Sequence, residues 1–172
     1  MSDPFSTIET VRQRLADIEM GTYSGSTVVT PGITNIKQAF AHPTANIVMD
    51  LPVMVNFTAG PAEYDTTDLG EEYFLETREY PIRLYAKSRG DGIDQEGETF
   101  TEALIEPIRD CFMGRPSLSL GVPGTSLPGV LQSKFIKDSG VAVLSYAGKD
   151  YLGAEFSLAV TQVIRRQYAP GE

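Results

Sequence analysis

The run EYFLETREYPIRLYAKS, from Glu72 to Ser88, alternates with a period of two. Phe74, Tyr80, Ile82, Leu84 and Ala86 share one parity. Successive side chains of a strand point to opposite faces, so this set predicts one face of a long strand turned toward a core. Glu76 and Arg78 fall on the same parity, which predicts that the first half of the strand runs beyond that core. Upstream, Leu51, Val53, Val55 and Phe57 alternate with Pro52, Met54 and Asn56. This reads as a half-buried strand, with Pro52 at its start or at a sheet edge. The turn-rich TAGPAEYDTTDLGE joins the two strands. Residues 51–87 therefore read as a long antiparallel pair whose acidic far end projects.

Working outward, residues 99–113 predict a helix. Phe100, Leu104, Ile108, Cys111 and Phe112 form one stripe, and Glu102, Glu106 and Arg109 line the other side. Thr99 with Glu102 fits a capping box, Pro107 removes one backbone hydrogen bond, and Gly114 and Pro116 end the element. Residues 4–20 predict a second amphipathic helix, with Pro4 suited to the first helical position and Ser6 and Glu9 able to form a capping box. Ile8, Val11, Leu15 and Ile18 form its apolar stripe, and Gly21 closes it. GTYSGSTVVTPG reads as a polar loop, and ITNIKQAF (33–40) fits either a strand or a helical turn. Beyond the Gly- and Pro-rich GRPSLSLGVPGTSLPG (114–129), VLQSKFI, VAVLSY and YLGAEFSLAVTQVIR predict an antiparallel meander with a long closing strand. Two helices set apart from a mostly antiparallel sheet make an α+β fold, with the second helix packed on the sheet. The reading is a single domain over residues 1–172, with flexible loops near 21–32, 58–72 and 114–129.

Composition bounds the function. With 172 residues and 41% hydrophobic side chains, the chain can build a core. Cys111 is the sole cysteine, so no intrachain disulfide forms, which fits a reducing compartment. The start, MSDPFSTIETV, lacks the basic and apolar regions of a secretory signal, and no apolar run is long enough to span a bilayer. A soluble protein of cytosolic origin is expected. The formal net charge is -9. Residues 61–79 and 91–110 each hold seven acids, 14 of the 23 in the chain. Such a surface repels nucleic acid, because phosphate binding needs clustered Lys and Arg.

The chemistry-bearing motifs are few. SRGDGIDQEGE (88–98) carries acids at 91, 94, 96 and 98 between a strand and a helix. That spacing does not match a calcium loop, and no phosphate-binding glycine pattern is present. It reads as a joint: glycines let the chain turn out of a strand, and acids near a helix start favour the helix dipole. His42, the only histidine, sits beside a proline with no triad context and reads as a surface or turn residue. Cys111, on the helical stripe, reads as a buried thiol. One His and one Cys cannot complete a zinc site of N and S ligands in one chain. Asp50 and Glu155 are the acids closest to apolar segments, so an enzyme or ligand-binding reading would use them or the acidic joint.

The order of elements resembles one family, the tail terminator proteins of long-tailed bacteriophages. The likeness rests on the N-terminal helix with Ile8, Val11, Leu15 and Ile18, on LPVMVNF (51–57), and on YPIRLYA (80–86). It continues in ETFTEALIEPIRDCF (98–112) and YLGAEFSLAVTQVIR (151–165), and covers nearly the whole chain. The resemblance implies a structural virion protein, assembled in the host cytoplasm, without catalytic residues or cofactor. It implies a homo-oligomeric ring, a hexamer, that caps the tail tube and receives the head connector or stopper protein, with DNA passing through the lumen. Candidate subunit or tube contacts are then Glu63, Asp65, Asp68, Glu76, Arg78 and Arg115. Candidate lumen-facing acids are Asp91, Asp94, Glu96 and Glu98, which would hold DNA off the wall. Another neck component, such as a head-completion or stopper protein, is the alternative structural reading.

Overall fold

A computed structural model of the chain describes residues 6–24, 27–30, 32–45, 50–65, 72–89, 94–121 and 124–165. Its elements are α1 (Ile8–Met20), β1 (Thr22–Ser24), β2 (Thr27–Thr30), β3 (Gln38–Phe40), β4 (Val53–Asn56), β5 (Ala62–Asp65), β6 (Tyr73–Ser88), α2 (Gln95–Met113), β7 (Val130–Asp138), β8 (Ala142–Tyr146) and β9 (Lys149–Arg165). Among the described residues, a seven-stranded sheet carries both helices, and β1 and β2 form a separate antiparallel pair. The fold is α+β, with a mostly antiparallel sheet.

Two long strands organise everything else. β6 and β9 pair antiparallel from Tyr73↔Arg165 to Ser88↔Tyr151, with one register shift between Tyr85 and Lys87. Short strands then lie end to end along each outer side of this pair. On the β6 side, β4 pairs with Ile82–Tyr85 and β5 with Leu75–Arg78. On the β9 side, β7 pairs with residues 156–162 and β8 with residues 149–153. β3 adds to β4 in parallel, which settles ITNIKQAF as ending in a strand.

The expected three-stranded meander is therefore a hairpin with a broken first arm. β7 and β8 both pair with β9 and run in the same direction, so Asp138-Ser139-Gly140 does not reverse the chain. Instead Ser139 stays with β9: its N–H donates to the Glu155 carbonyl, and its Oγ accepts from the Glu155 N–H. The true reversal is Ala147–Gly148, both at positive φ, between the paired residues Tyr146 and Lys149. A two-residue turn of that kind matches the right-handed twist of the strands it joins.

The helices cover one face. Val11, Leu15 and Ile18 of α1 and Leu104, Ile108 and Phe112 of α2 are buried with Tyr80, Ile82 and Leu84 of β6 and Ala154, Phe156, Leu158 and Val160 of β9. This is the parity that the alternation in both long strands predicts. β4 differs from the expectation: all four of its residues are buried, because Met54 joins the helix-side core while Val53 and Val55 join a second cluster on the opposite face. That cluster holds Tyr85, Tyr146 and Tyr151, whose rings meet edge to face at 5.4 and 5.5 Å. At its centre, β9 must approach β6 closely. A Cβ on Gly153 would run into the Leu84 carbonyl oxygen, so only glycine fits there.

Helix ends depart from the predicted caps by a residue or a turn. Thr7 caps α1, its hydroxyl accepting from the Thr10 N–H, while Ser6 instead donates to the Pro128 carbonyl at 2.6 Å. Asp94 caps α2 one turn earlier than Thr99, accepting from the Gly97 N–H at 2.6 Å. The buried stripe of α2 is Gly97, Thr101, Leu104, Ile108 and Phe112, while Phe100 of α2 and Ile8 of α1, expected on the apolar stripes, are exposed. Cys111 is only partly buried against the core. GTYSGSTVVTPG, expected as a loop, contains the β1–β2 pair, with a backbone register of Tyr23↔Val28. The 114–129 segment has no regular element among its described residues but is fastened down. Leu118 and Leu127 enter the core, and Arg14 donates to the carbonyls of Leu118 and Thr125.

Candidate assembly surface

Neither apolar cluster includes any residue of 62–65, 73–79 or 161–165. In this distal part of the sheet four strands lie side by side in the order β5, β6, β9, β7. Glu63, Thr77, Thr161 and Gln132 form one row across it, and Tyr64, Glu76, Gln162 and Val130 the next. Polar groups replace the core here. The Thr77 and Thr161 hydroxyls are 2.9 Å apart across β6 and β9. On the helix-side parity, Glu76 and Gln162 are buried, and the Gln162 amide donates to Glu76 Oε1 at 3.2 Å.

Arg78 completes that arrangement. Its Nε and Nη2 donate to the two Glu76 oxygens at 3.2 and 3.3 Å, a bidentate pair that fits the planar guanidinium. Nη1 donates to the Gly60 carbonyl at 3.0 Å and Nη2 to the Tyr64 hydroxyl at 3.2 Å. The Glu76 partner raises the Arg78 pKa. Burial, followed by the Glu76 charge, pushes the Tyr80 hydroxyl up to about 12. Glu76 and Arg78 are thus engaged inside the subunit. What they present is Tyr64, 56% exposed, with its ring 5.6 Å from Phe74 and its hydroxyl held by Arg78.

Of the other sequence candidates, Glu63 and Asp65 are exposed on β5. Arg115 is partly buried beside Gly121, and its carbonyl accepts from Ser133. Asp94 is taken up as the α2 cap, and Glu96 and Glu98 are exposed in the first turn of α2. Asp68 and Asp91 lie outside the described residues. An open groove of about 1030 Å³ separates the end of β6 from that turn, lined by Leu51, Lys87, Asp94, Glu96 and Phe100 among others. The opposite sheet edge, β7, carries the exposed Lys134 and Lys137. Two bulges interrupt it, at Leu131 and Ile136, which are 57% and 45% exposed.

The residues weighed for catalysis are scattered. Asp50 is exposed, and Glu155 pairs with Arg83 at 2.9 Å. His42 meets the exposed Glu9, whose carboxyl it holds below the usual range through a hydrogen bond, helped by Gln13. Among the described residues, no three His, Cys, Asp or Glu side chains converge as a metal site, and no helix is long and apolar enough to cross a membrane.

Sequence reading missed one buried polar cluster beneath α1. Glu19 is fully buried, and its Oε2 accepts from the Asn56 amide at 3.0 Å; the same amide donates to the Phe40 carbonyl. Arg12 donates to the Asn56 carbonyl at 2.9 Å. Burial holds the Glu19 carboxyl well above its usual value, opposed only in part by the Asn56 bond. The available signal was the position of Glu19 directly after Ile18 on the buried side of the helix.

Comparison with models of known protein families and with curated proteins finds no match for this chain.

Proposed function

We propose that this chain is a structural virion protein, a subunit of a ring that caps a bacteriophage tail tube and joins it to the head connector. The observation that carries the reading is the distal half of the sheet. There β5, the start of β6 and the end of β9 lie outside both apolar clusters; Tyr64 is exposed on β5, and β7, which Val130 ties to the core, exposes Leu131 beside this strip and Ile136 farther along. A surface of exposed aromatic and apolar anchors is the composition of a protein contact. The order of helix, long strands, helix and long hairpin is also the order on which the resemblance to tail terminators rests. In this reading the partners are further copies of the chain, the tail tube protein and the connector or stopper protein, and the site of action is the neck of the particle. The exposed Glu96 and Glu98, with the net charge of -9, suit a lumen through which DNA slides without adhering.

Imaging of assembled tails tests this directly. A ring of this protein at the head-proximal end of the tube is the expected result; tails complete without it defeat the reading. Deleting Pro61–Leu69, which removes β5, is expected to leave a folded protein that no longer caps tubes. Tails of normal length and infectivity from that deletion would contradict the proposal.

A further inference from the structure

The two edges of the distal strip are complementary to each other. β5 pairs only with β6 and β7 only with β9 among the described residues. β5 carries the exposed Glu63 and Asp65 and no cation, whereas β7 carries Lys134 and Lys137, two of the five lysines in the chain, against one acid, Asp138, at its far end. Within one subunit the edges lie three strand spacings apart, about 14 Å. They cannot meet each other, but they can meet the edges of another copy.

Strand direction allows that meeting. β5, β6, β9 and β7 alternate, each antiparallel to its neighbour. A second copy set beside the first in the same orientation therefore brings its β5 antiparallel to β7, and the alternation continues. Length agrees as well. The regular stretch of β7 between its bulges, Gln132–Phe135, has four residues, the length of β5. Opposing the two stretches puts Glu63 across from Lys134 and Tyr64 across from Ser133. The faces match: Thr77 and Ala159, the in-subunit partners of Glu63 and Lys134, lie on the same side of the sheet. Glu63 and Lys134 become an opposite-charge cross-strand pair, and Tyr64 comes within reach of Leu131 and Phe135.

We propose that neighbouring copies join by adding the acidic β5 of one to the basic β7 of the next, head to tail. The inference deepens the ring reading above and rests on it. A contact of this kind uses two different patches, so it propagates until its rotation closes a ring. Strand twist supplies a rotation at every step. The bulges blunt β7 outside the four-residue window, which limits the edge to one register. Arg78 and Phe74 hold Tyr64 in place before contact, so little side-chain freedom is lost on binding.

A disulfide between copies is the test. The variant Glu63→Cys/Lys134→Cys, with Cys111→Ser, is oxidised at high concentration with and without tail tubes. The edges of one copy are too far apart to bridge, since linked Cα atoms lie about 4.4–6.8 Å apart. A ladder of linked copies ending in one closed species supports the proposal, with either single cysteine variant stopping at dimers. Capped tubes without a ladder overturn this contact and leave the ring reading intact. A ladder from protein that caps no tubes keeps the contact and defeats the tail-terminator reading. Neither a ladder nor assembly overturns both. A charge swap guards against misfolding: Lys134→Glu is expected to weaken association about tenfold or more, and adding Glu63→Lys to restore it. Failure of the swap to restore association overturns the pairing.

Discussion

Strands β6 and β9 run through the whole sheet, yet the halves they anchor are held together by different forces. Around Tyr85 and Gly153 both faces are filled, by the helix-side core on one side and by Tyr85, Tyr146 and Tyr151 on the other. From Glu79 outward the same strands are joined by Thr77–Thr161 and by the Glu76–Arg78–Gln162 group. Apolar burial contributes about 25 cal/mol per Å² and needs no particular geometry, whereas a cross-strand polar pair contributes roughly 0.2–1 kcal/mol. The proximal half is therefore expected to set global stability, and the distal half to open first and serve as surface.

The most severe way to break the proximal half is Gly153→Ala. The added carbon meets a backbone carbonyl that cannot move without parting β6 from β9. A loss above about 4 kcal/mol is expected in urea denaturation, or no folded protein. A loss under about 1 kcal/mol would show that the two strands are not so tightly apposed.

Next comes Glu19→Gln, which tests the buried polar cluster beneath α1. The folded-state carboxyl stays protonated above the unfolded value of 4.5. Stability is therefore full below that value and is lost as pH rises toward the folded-state value, by about 1.4 kcal/mol per pH unit in that window. The amide cannot ionise, so the variant should hold a flat urea midpoint there and exceed the wild type as pH rises. Parallel pH profiles for the two proteins would refute the assignment.

In the distal half, Arg78→Ala leaves the buried Glu76 with only the Gln162 amide and releases the Tyr64 hydroxyl, and a loss of about 1–3 kcal/mol is expected. Its sharper readout is hydrogen exchange, which should rise at β5 and the start of β6 while the Tyr85 region stays protected. Uniform loss of protection would mean that the halves are not distinct. The smallest effect belongs to Thr161→Val, which removes one half-buried hydroxyl contact and should shift stability by about 0.5 kcal/mol.

The comparison also explains what could be read in advance. Alternation in β6 and β9 was legible because, in the half that the helices cover, each long strand turns one parity to the core, so Ile82, Leu84, Phe156 and Leu158 share one signal. Both helices were legible from their stripes. Their caps were not, because Thr7 and Asp94 compete with Ser6 and Thr99, and side-chain oxygens of Ser, Thr and Asp can all cap. The expected three-stranded meander is a hairpin instead, because Asp138-Ser139-Gly140, whose composition signals a turn, is a break within one arm. Glu76 and Arg78 read as surface residues because charge is usually exposed; their bidentate pairing and the Gln162 amide turn them inward.

Chain chemistry alone determined the α+β class, the two apolar helix stripes and the long alternating strands, because each follows from a local period that any folded state must respect. Tertiary structure decided which strands adjoin, that β7 and β8 share one edge, that Glu19 is buried, and that β5 and β7 bound the same strip. Those facts depend on residues far apart in the chain meeting across β6 and β9. No local pattern specifies such a meeting, because strand pairing is set by backbone groups that every residue carries alike.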